Sequence, residues 1–194
     1  MRTRGWMLVA CLVATASPAV ATTTWLGVNG GVAVPTGDFG DDANLGFTFG
    51  GSVDVRITET SSVGGEIGYA PFSGSDELES ALSSLTGEVV DASLSAIPIT
   101  ATARLWIPSS GTVAPFLRFG VGAYLLRTTI EGETFEVDDS ETAVGVNLGG
   151  GVAFETGENM MLGTDALYHY ISTEGGAANL FTLRAVLFFE LGGE

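Results

Sequence analysis

Apolar and polar residues alternate along most of the chain with a period of two. In Leu45–Ile57 every second residue, starting from Leu45, is apolar or glycine, and the residues between are small, polar or charged. A period of two over that length predicts a β-strand with one apolar and one polar face. The stretch is also long enough to cross a bilayer, which takes about 9–11 residues of strand.

The alternation recurs seven more times and predicts eight strands in all. The other seven are Leu26–Val34, Val63–Phe72, Ala96–Ile107, Phe116–Leu126, Val144–Glu155, Met160–Tyr170 and Leu180–Phe189. Short connections (Thr58–Ser62, Pro108–Ala114, Thr156–Asn159) alternate with longer or more acidic ones (Pro35–Asn44, Ser73–Leu94, Ile130–Glu141, Thr173–Ala178). This arrangement is typical of an all-β, eight-stranded antiparallel up-and-down transmembrane β-barrel. Within Ser75–Thr86, apolar residues at helical spacing predict one short amphipathic helix.

The position of the charges indicates which face meets lipid. A soluble lipocalin-type barrel, apolar inside and polar outside, would show the same alternation. Here the polar face is mostly Gly, Ser, Thr and Asn, whereas a wet face would be densely charged. The opposite face has no charge within the strands, and only Arg127 shares its parity, at a strand end. We therefore expect the apolar face to meet lipid. Aromatic residues near strand ends are expected to form the interfacial girdles: Phe47, Tyr69, Phe72, Tyr168, Tyr170 and Phe189.

Residues 1–21 have the features of a cleaved secretory signal peptide. Arg2 and Arg4 give a basic start, Trp6–Val13 is apolar, and Ala19–Ala21 is a small-x-small cleavage site. Residues 22–194 are then expected to form one barrel domain. Lipid attachment at Cys11 is a less favoured alternative, because the apolar run continues past this single cysteine.

The chain is strongly acidic, with a formal net charge of −16, no lysine and 28 glycines. Nucleic acid is not an expected partner, because phosphate binding depends on Lys and Arg. Most of the acids lie in the longer connections. We expect these connections to lie at one rim.

The chain resembles the small outer-membrane barrel proteins: the OmpA transmembrane domain, the OmpW-like proteins and the opacity proteins. The resemblance lies in the signal peptide, the eight strands and the run Pro35-Thr36-Gly37-Asp38-Phe39 after the first strand. It implies a protein of the outer membrane of a Gram-negative-type bacterium, in contact with lipid and lipopolysaccharide, and we expect a monomer. One departure is the end of the chain, where Glu190–Glu194 follows the aromatic residues on which such proteins usually end.

Enzymatic residues and cofactor motifs are not expected. His169 and Ser172 resemble the His/Ser pair of outer-membrane lipid A-modifying enzymes, but a spacing of three sends them to opposite faces of a strand. Catalysis would require both within hydrogen-bond reach. The glycine triplet Gly149–Gly151 does not precede a helix, so phosphate binding is not indicated and no cofactor is expected.

Charged residues on the polar face predict an ion network that plugs the lumen. The predicted members are Asp54, Arg56, Glu66, Arg104, Arg118, Glu155, Asp165 and Arg184. An eight-stranded barrel is only just wide enough for its side chains. The charges must therefore pair across the interior.

The acids of the long connections have two interpretations. They can simply keep the rim solvated, or they can bind divalent cations diffusely, with Asp138, Asp139 and Glu141 as contacts and no specific metal site. Basic partners are the other expected ligands of such a surface.

The sequence thus favours a structural, envelope-stabilising or adhesive protein with a plugged lumen. The alternative, implied by the resemblance to OmpW-like proteins, is a conduit for small apolar solutes.

Overall fold

A closed ring of antiparallel strands forms the body of the protein. The computed structural model describes residues 23–109 and 111–191, which contain eight strands: β1 Thr24–Thr36, β2 Gly46–Thr58, β3 Ser61–Ser73, β4 Val90–Trp106, β5 Val113–Gly132, β6 Glu136–Gly157, β7 Met160–Thr173 and β8 Gly176–Leu191. Each strand pairs with its neighbour in chain order, and β8 pairs with β1. The predicted eight-stranded barrel is confirmed. The predicted signal peptide, residues 1–21, lies outside the described residues.

The register of the strands fixes the tilt and the width of the barrel. Trp25 of β1 pairs with Asp54 of β2, and following the partners strand by strand leads to Leu180 of β8. Leu180 pairs with Pro35, so one circuit advances ten residues along β1. Eight strands with a typical tilt of about 35–45° enclose an interior just wide enough to be filled by side chains.

The two faces of the strands differ as the alternation predicts. Large apolar side chains of the outer face are exposed, with Phe47 at 68% and Ile67 at 56%. Charged side chains in the middle of the strands, such as Asp54 and Arg184, point inwards and are buried. An apolar outer surface around a charged interior is the arrangement of a membrane barrel and the reverse of a soluble one.

The two ends of the barrel differ in their connections. Residues 59–60, 107–112 and 158–159 form short connections at one end, which we call the turn end. The opposite end, the loop end, has two helices in its connections: α1 (Asp38–Asp42) and α2 (Asp76–Thr86). α2 is the helix predicted for Ser75–Thr86; its N-terminus is capped by the Ser75 hydroxyl, and it ends at Gly87 with φ 77°. Among the described residues, no helix is long and apolar enough to cross a membrane.

Five strands, β4 to β8, extend at the loop end at least three residues further than the alternation predicts. β4 begins at Val90 rather than Ala96, and of the predicted connection Ile130–Glu141 only residues 133–135 lie outside strands. Of Thr173–Ala178, only residues 174–175 do. Backbone pairing continues here, as between Ile130 and Val137, although polar side chains occupy both faces. Where no lipid contacts the strands, the alternation of apolar and polar residues disappears, but the backbone pairing between the strands continues.

The assignment of Phe72 to the outer aromatic girdle was wrong. Phe72 shares the inward parity of Glu66 and is 4% exposed. Its ring packs edge-on against Phe39 of α1, with centroids 5.5 Å apart. The girdle prediction considered the position along the strand but not the parity, which sends this ring into the lumen.

The outward position of Phe119 on β5 provides a test of the lipid-facing surface. Phe119 is 47% exposed on the outer face, between the outward Leu117 and Val121. We expect Phe119→Arg to lower the free energy of unfolding in lipid vesicles by about 2–4 kcal/mol, because the charge would lie in hydrocarbon. The matched control is Leu85→Arg on α2, a position that is 84% exposed beyond the barrel. It should change stability by less than about 0.5 kcal/mol. Equal effects in urea titrations would contradict the assignment.

Candidate functional site

The lumen is filled by side chains in four layers, which can be followed along one strand. From the turn end to the loop end, the inward side chains of β5 include Phe116, Arg118, Tyr124 and Leu126. The same sequence of aromatic, charged, polar and apolar side chains occurs on β8 in the opposite chain direction. We name the layers the aromatic, ionic, polar and apolar layers.

The aromatic layer lies at the turn end of the lumen. Its buried members are Trp25, Trp106, Phe116, Ala153, Met161, Val186 and Phe188. The Arg104 guanidinium lies 5.0 Å from the ring centroid of Phe116 and 4.8 Å from that of Phe188. Its Nη1 also pairs with Asp54 at 3.0 Å. Arg104 is therefore stabilised by one ion pair and by the faces of the surrounding rings.

The ionic layer consists of two arginines that share two carboxylates. Arg184 makes two parallel hydrogen bonds of 2.8 Å to Asp165 and contacts Glu66 at 2.9 Å. Arg118 contacts the same two acids, Glu66 at 2.9 Å and Asp165 at 3.6 Å. The Asn29 amide donates to Glu66 at 3.2 Å. The pairs join β1, β3, β5, β7 and β8 across the lumen. Their geometry is bidentate at Asp165, which is the strongest form of such a contact.

Small inward residues make room for these long side chains. Gly31 pairs with Arg184 across β1 and β8, and a Cβ atom there would come within 2.7 Å of the Arg184 Cα. Gly64 has the same relation to Asp54, and Gly151 to Asp165. The glycines on the polar face are therefore required by the close approach of neighbouring strands beside charged groups.

A chain of hydrogen bonds forms the polar layer. The Asn147 amide donates to the Tyr124 hydroxyl at 3.2 Å, and that hydroxyl lies 2.9 Å from Nδ1 of His169. Nε2 of His169 lies 3.3 Å from the Thr182 hydroxyl. Ser172 is exposed on the outer face, so it lies on the opposite side of β7 from the buried His169.

The apolar layer lies above the polar layer at the loop end. Its buried members are Ala33, Ala43, Ala70, Phe72, Ala96, Tyr124, Ala143, Ile171, Ala178 and Leu180. Tyr124 belongs to both layers, since its hydroxyl is in the polar chain and its ring is in the apolar cluster. Phe39, Leu94 and Leu126 pack on the cluster from the loop end.

The structure brings six of the eight predicted network residues into the interior and leaves two outside. Asp54, Glu66, Arg104, Arg118, Asp165 and Arg184 are 6% exposed or less and form five ion pairs. Three positive charges thus meet three negative ones.

Arg56 and Glu155 are corrections to the predicted network. Arg56 lies at the turn end with its guanidinium 5.4 Å from the Trp106 ring, and Glu155 is exposed. Among the described residues neither has an ion-pair partner within 4.0 Å. Both share the inward parity, but they lie near the strand ends, where Arg56 is half-buried beside the aromatic layer and Glu155 is exposed.

The aromatic layer and the polar chain were missed by sequence reasoning. Trp106, Phe116 and Phe188 have the parity of the polar face, but apolar residues were not expected there. The sequence did contain a signal for the first two. Trp106 and Phe116 lie two positions from Arg104 and Arg118, which places them on the same face of their strands as these arginines. Phe39 has no such signal, because its inward position depends on how α1 folds over the mouth.

Several acids at the loop end accept hydrogen bonds from separate partners. Glu141 accepts from the Glu174 N–H at 2.8 Å, which ties β6 to the β7–β8 turn. Asp138 accepts from the Thr129 hydroxyl, and Asp139 from the Ser140 N–H. In the described ranges, no group of three or more Asp, Glu, His or Cys side chains is placed to hold a metal ion. Diffuse cation contacts at Asp138, Asp139 and Glu141 stay a prediction.

Comparison with known families gives a match over nearly the whole chain. Residues 7–189 match the family described as outer membrane protein beta-barrel domain. No curated protein matches the chain significantly.

Three solved structures are similar to the chain in fold. Neisserial surface protein A is 17% identical, with 87% of this chain and 97% of that chain covered and a TM-score of 0.62. A major outer membrane protein from Thermus thermophilus is 10% identical, with 89% and 100% covered and a TM-score of 0.60. The attachment invasion locus protein Ail of Yersinia pestis, in complex with the heparin analogue sucrose octasulfate, is 15% identical, with 87% and 97% covered and a TM-score of 0.52.

Arg184 provides the sharpest test of the ionic layer. We expect Arg184→Ala to lower the free energy of unfolding by about 3–5 kcal/mol, because it leaves buried carboxylates short of a partner. Arg127→Ala is the control, since Arg127 is exposed and makes no ion pair among the described residues. It should leave stability within about 0.5 kcal/mol of the wild type. Reversible urea unfolding in vesicles measures both. Wild-type stability of Arg184→Ala would rule out a stabilising network.

Proposed function

Because the chain belongs to the family of outer membrane proteins with a beta-barrel domain, we propose that it is a closed barrel with a structural, envelope-stabilising or adhesive role. The protein is located in the outer membrane of a Gram-negative-type bacterium. In such barrels the longer loops face the cell exterior, so the loop end is the exposed surface.

The filling of the lumen is the observation that carries this proposal. The inward aromatic, charged and apolar side chains of four successive layers are buried, from Phe116 and Phe188 at the turn end to Tyr124 and Ile171 nearer the loop end. An ion crossing the barrel would have to part the pairs of Arg118 and Arg184, each part of a buried network. A barrel closed in this way acts through its surfaces.

A conduit for small apolar solutes has less support. A sideways exit would need a gap between strands, and the β3–β4 ladder is interrupted between Ile67 and Ala70, opposite Pro98. The cavity beside this interruption has a volume of about 10 Å³, which is roughly enough for one water molecule. That space is too small for a solute.

The charge of the loop end favours basic over anionic partners. Beyond residue 21 the chain has five arginines, of which only Arg127 is near the loop end. Ail is described in complex with a heparin analogue, which is a polyanion. Like-charge repulsion would oppose such a ligand here, whereas a basic protein surface would be attracted.

Electrical recordings test the closed lumen. We expect the refolded protein in planar bilayers to give no unitary current steps at either polarity, because the ionic and apolar layers block the path. A porin incorporated into the same bilayer is the positive control. Reproducible steps that scale with the amount of protein would contradict the closed-barrel proposal.

Binding of whole cells to charged surfaces tests the adhesive role. Cells producing the protein should bind immobilised polylysine more than heparin, and added salt should weaken the binding. Neutralising three exposed acids of the β5–β6 hairpin should reduce it: Glu131→Gln, Glu133→Gln and Glu136→Gln. The matched control neutralises three exposed acids at the turn end: Glu59→Gln, Glu155→Gln and Glu158→Gln. Equal binding by both variants, or stronger binding to heparin, would contradict the role.

A further inference from the structure

An open cavity of about 310 Å³ lies at the loop end, above the apolar layer. We call it the vestibule. Residues of α1 and of β4 to β8, with the β7–β8 turn, line it, among them Phe39, Leu94, Leu126, Asp139, Glu141 and Ala178. Cavities of about 300 Å³ and more are the size in which proteins bind small molecules.

The vestibule has an apolar floor. Phe39, Leu94 and Leu126 pack on the apolar layer and present the rest of their surface to the cavity. Tyr124 lies two residues below Leu126 on β5 and is fully buried. A molecule that enters from outside therefore contacts an apolar surface, and buried side chains lie directly beneath that surface.

Carboxylates form most of the charged part of the lining. The charged lining residues are Asp139 and Glu141 of β6, Asp42 of α1 and a single cation, Arg127. Arg127 makes no ion pair within the described part of the chain, so the lining retains a net negative charge. A cleft lined by one sign of charge concentrates ions of the other sign.

The apolar floor and the negatively charged lining together select a class of ligand. An anion would be repelled, and a neutral apolar molecule would make no use of the carboxylates. A hydrated metal ion would gain nothing from the apolar floor, and no three-ligand metal group occurs in the described ranges. The complementary ligand has a cationic head and a short apolar body.

We propose that the vestibule binds small amphipathic organic cations of the alkylammonium type. The apolar arm lies on Phe39, Leu94 and Leu126, and the ammonium group lies against Asp139 and Glu141. This site is independent of the adhesive role, because it needs only the vestibule and not the exposed acids of the hairpin tip.

Three matched probes test the ligand class on the full barrel in nanodiscs of zwitterionic lipid. Hexylammonium, 1-hexanol and hexanoate share one apolar arm and differ in charge. Calorimetric titration, corrected with empty nanodiscs, should give at least tenfold tighter binding of hexylammonium than of hexanol, and no binding of hexanoate. Hexanol or hexanoate binding as tightly as hexylammonium would overturn the proposal, and so would no binding of hexylammonium above the empty nanodiscs.

Charge variants locate the site. Asp139→Asn combined with Glu141→Gln should weaken hexylammonium binding about three- to tenfold and leave hexanol unaffected. The glutamine retains an acceptor for the Glu174 N–H, so the turn is kept. Asp138→Asn combined with Glu136→Gln is the control, because it removes the same two charges from β6 residues that do not line the vestibule. Equal weakening by this control would mean accumulation at an acidic surface and would overturn the site.

A space-filling variant separates the cavity from its charge. Thr128→Phe puts a ring into the lining and should abolish hexylammonium binding while the urea midpoint stays at the wild-type value. Undiminished binding to this folded variant would overturn the vestibule as the site.

Discussion

The contact of Arg184 with both Glu66 and Asp165 joins β8 to its neighbour β7 and, across the lumen, to the distant strand β3. A buried guanidinium is tolerated only when carboxylates compensate it. Here Arg118 shares the same two acids, and Arg104 is compensated by Asp54. The barrel is too narrow to hold a hydration shell around each charge, so the charged side chains pair with one another. Glycines such as Gly31, where neighbouring strands come close, make room for these side chains. The composition of the inner face follows from this pairing.

Much of the fold could be predicted from the sequence, because contact with lipid requires an apolar residue at every second position of a strand. Period-two alternation located the strands, and parity placed six charged residues in the lumen before their partners were known. The prediction failed where that constraint ends. Beyond the membrane β5 and β6 continue with polar side chains on both faces, so Ile130–Glu141 was expected as a connection. Inside the barrel, Phe72 and Phe188 have the parity of the polar face although their rings are apolar, since an interior filled by side chains accommodates rings as well as charges. Partners such as Tyr124 and His169, which are 45 residues apart, depend on the register.

The acids of the loop end oppose one another, yet several of them also hold the loops together. Glu88 accepts hydrogen bonds from the backbone and the hydroxyl of Thr134, which links the segment after α2 to the tip of the β5–β6 hairpin. Glu79 accepts from the Ala92 N–H, and Glu141 accepts from the Glu174 N–H. The carboxylates therefore replace missing backbone partners between neighbouring loops. The acidic composition has a structural basis as well as an electrostatic effect on partners.

The position of the ionic layer has a consequence for how the barrel assembles. β1 and β8 are the first and last strands, and the seam between them forms through thirteen residue pairs. Arg184 lies at this seam, where it also contacts the Asn29 side chain of β1. An open-sheet intermediate would expose two unpaired strand edges to hydrocarbon and would hold Arg184 away from Glu66. Pairing of β1 with β8 and formation of the Arg184–Glu66 ion pair therefore occur together. A half-closed form has two costs, the unpaired strand edges and the unpaired charges. We therefore expect insertion into the membrane to be cooperative.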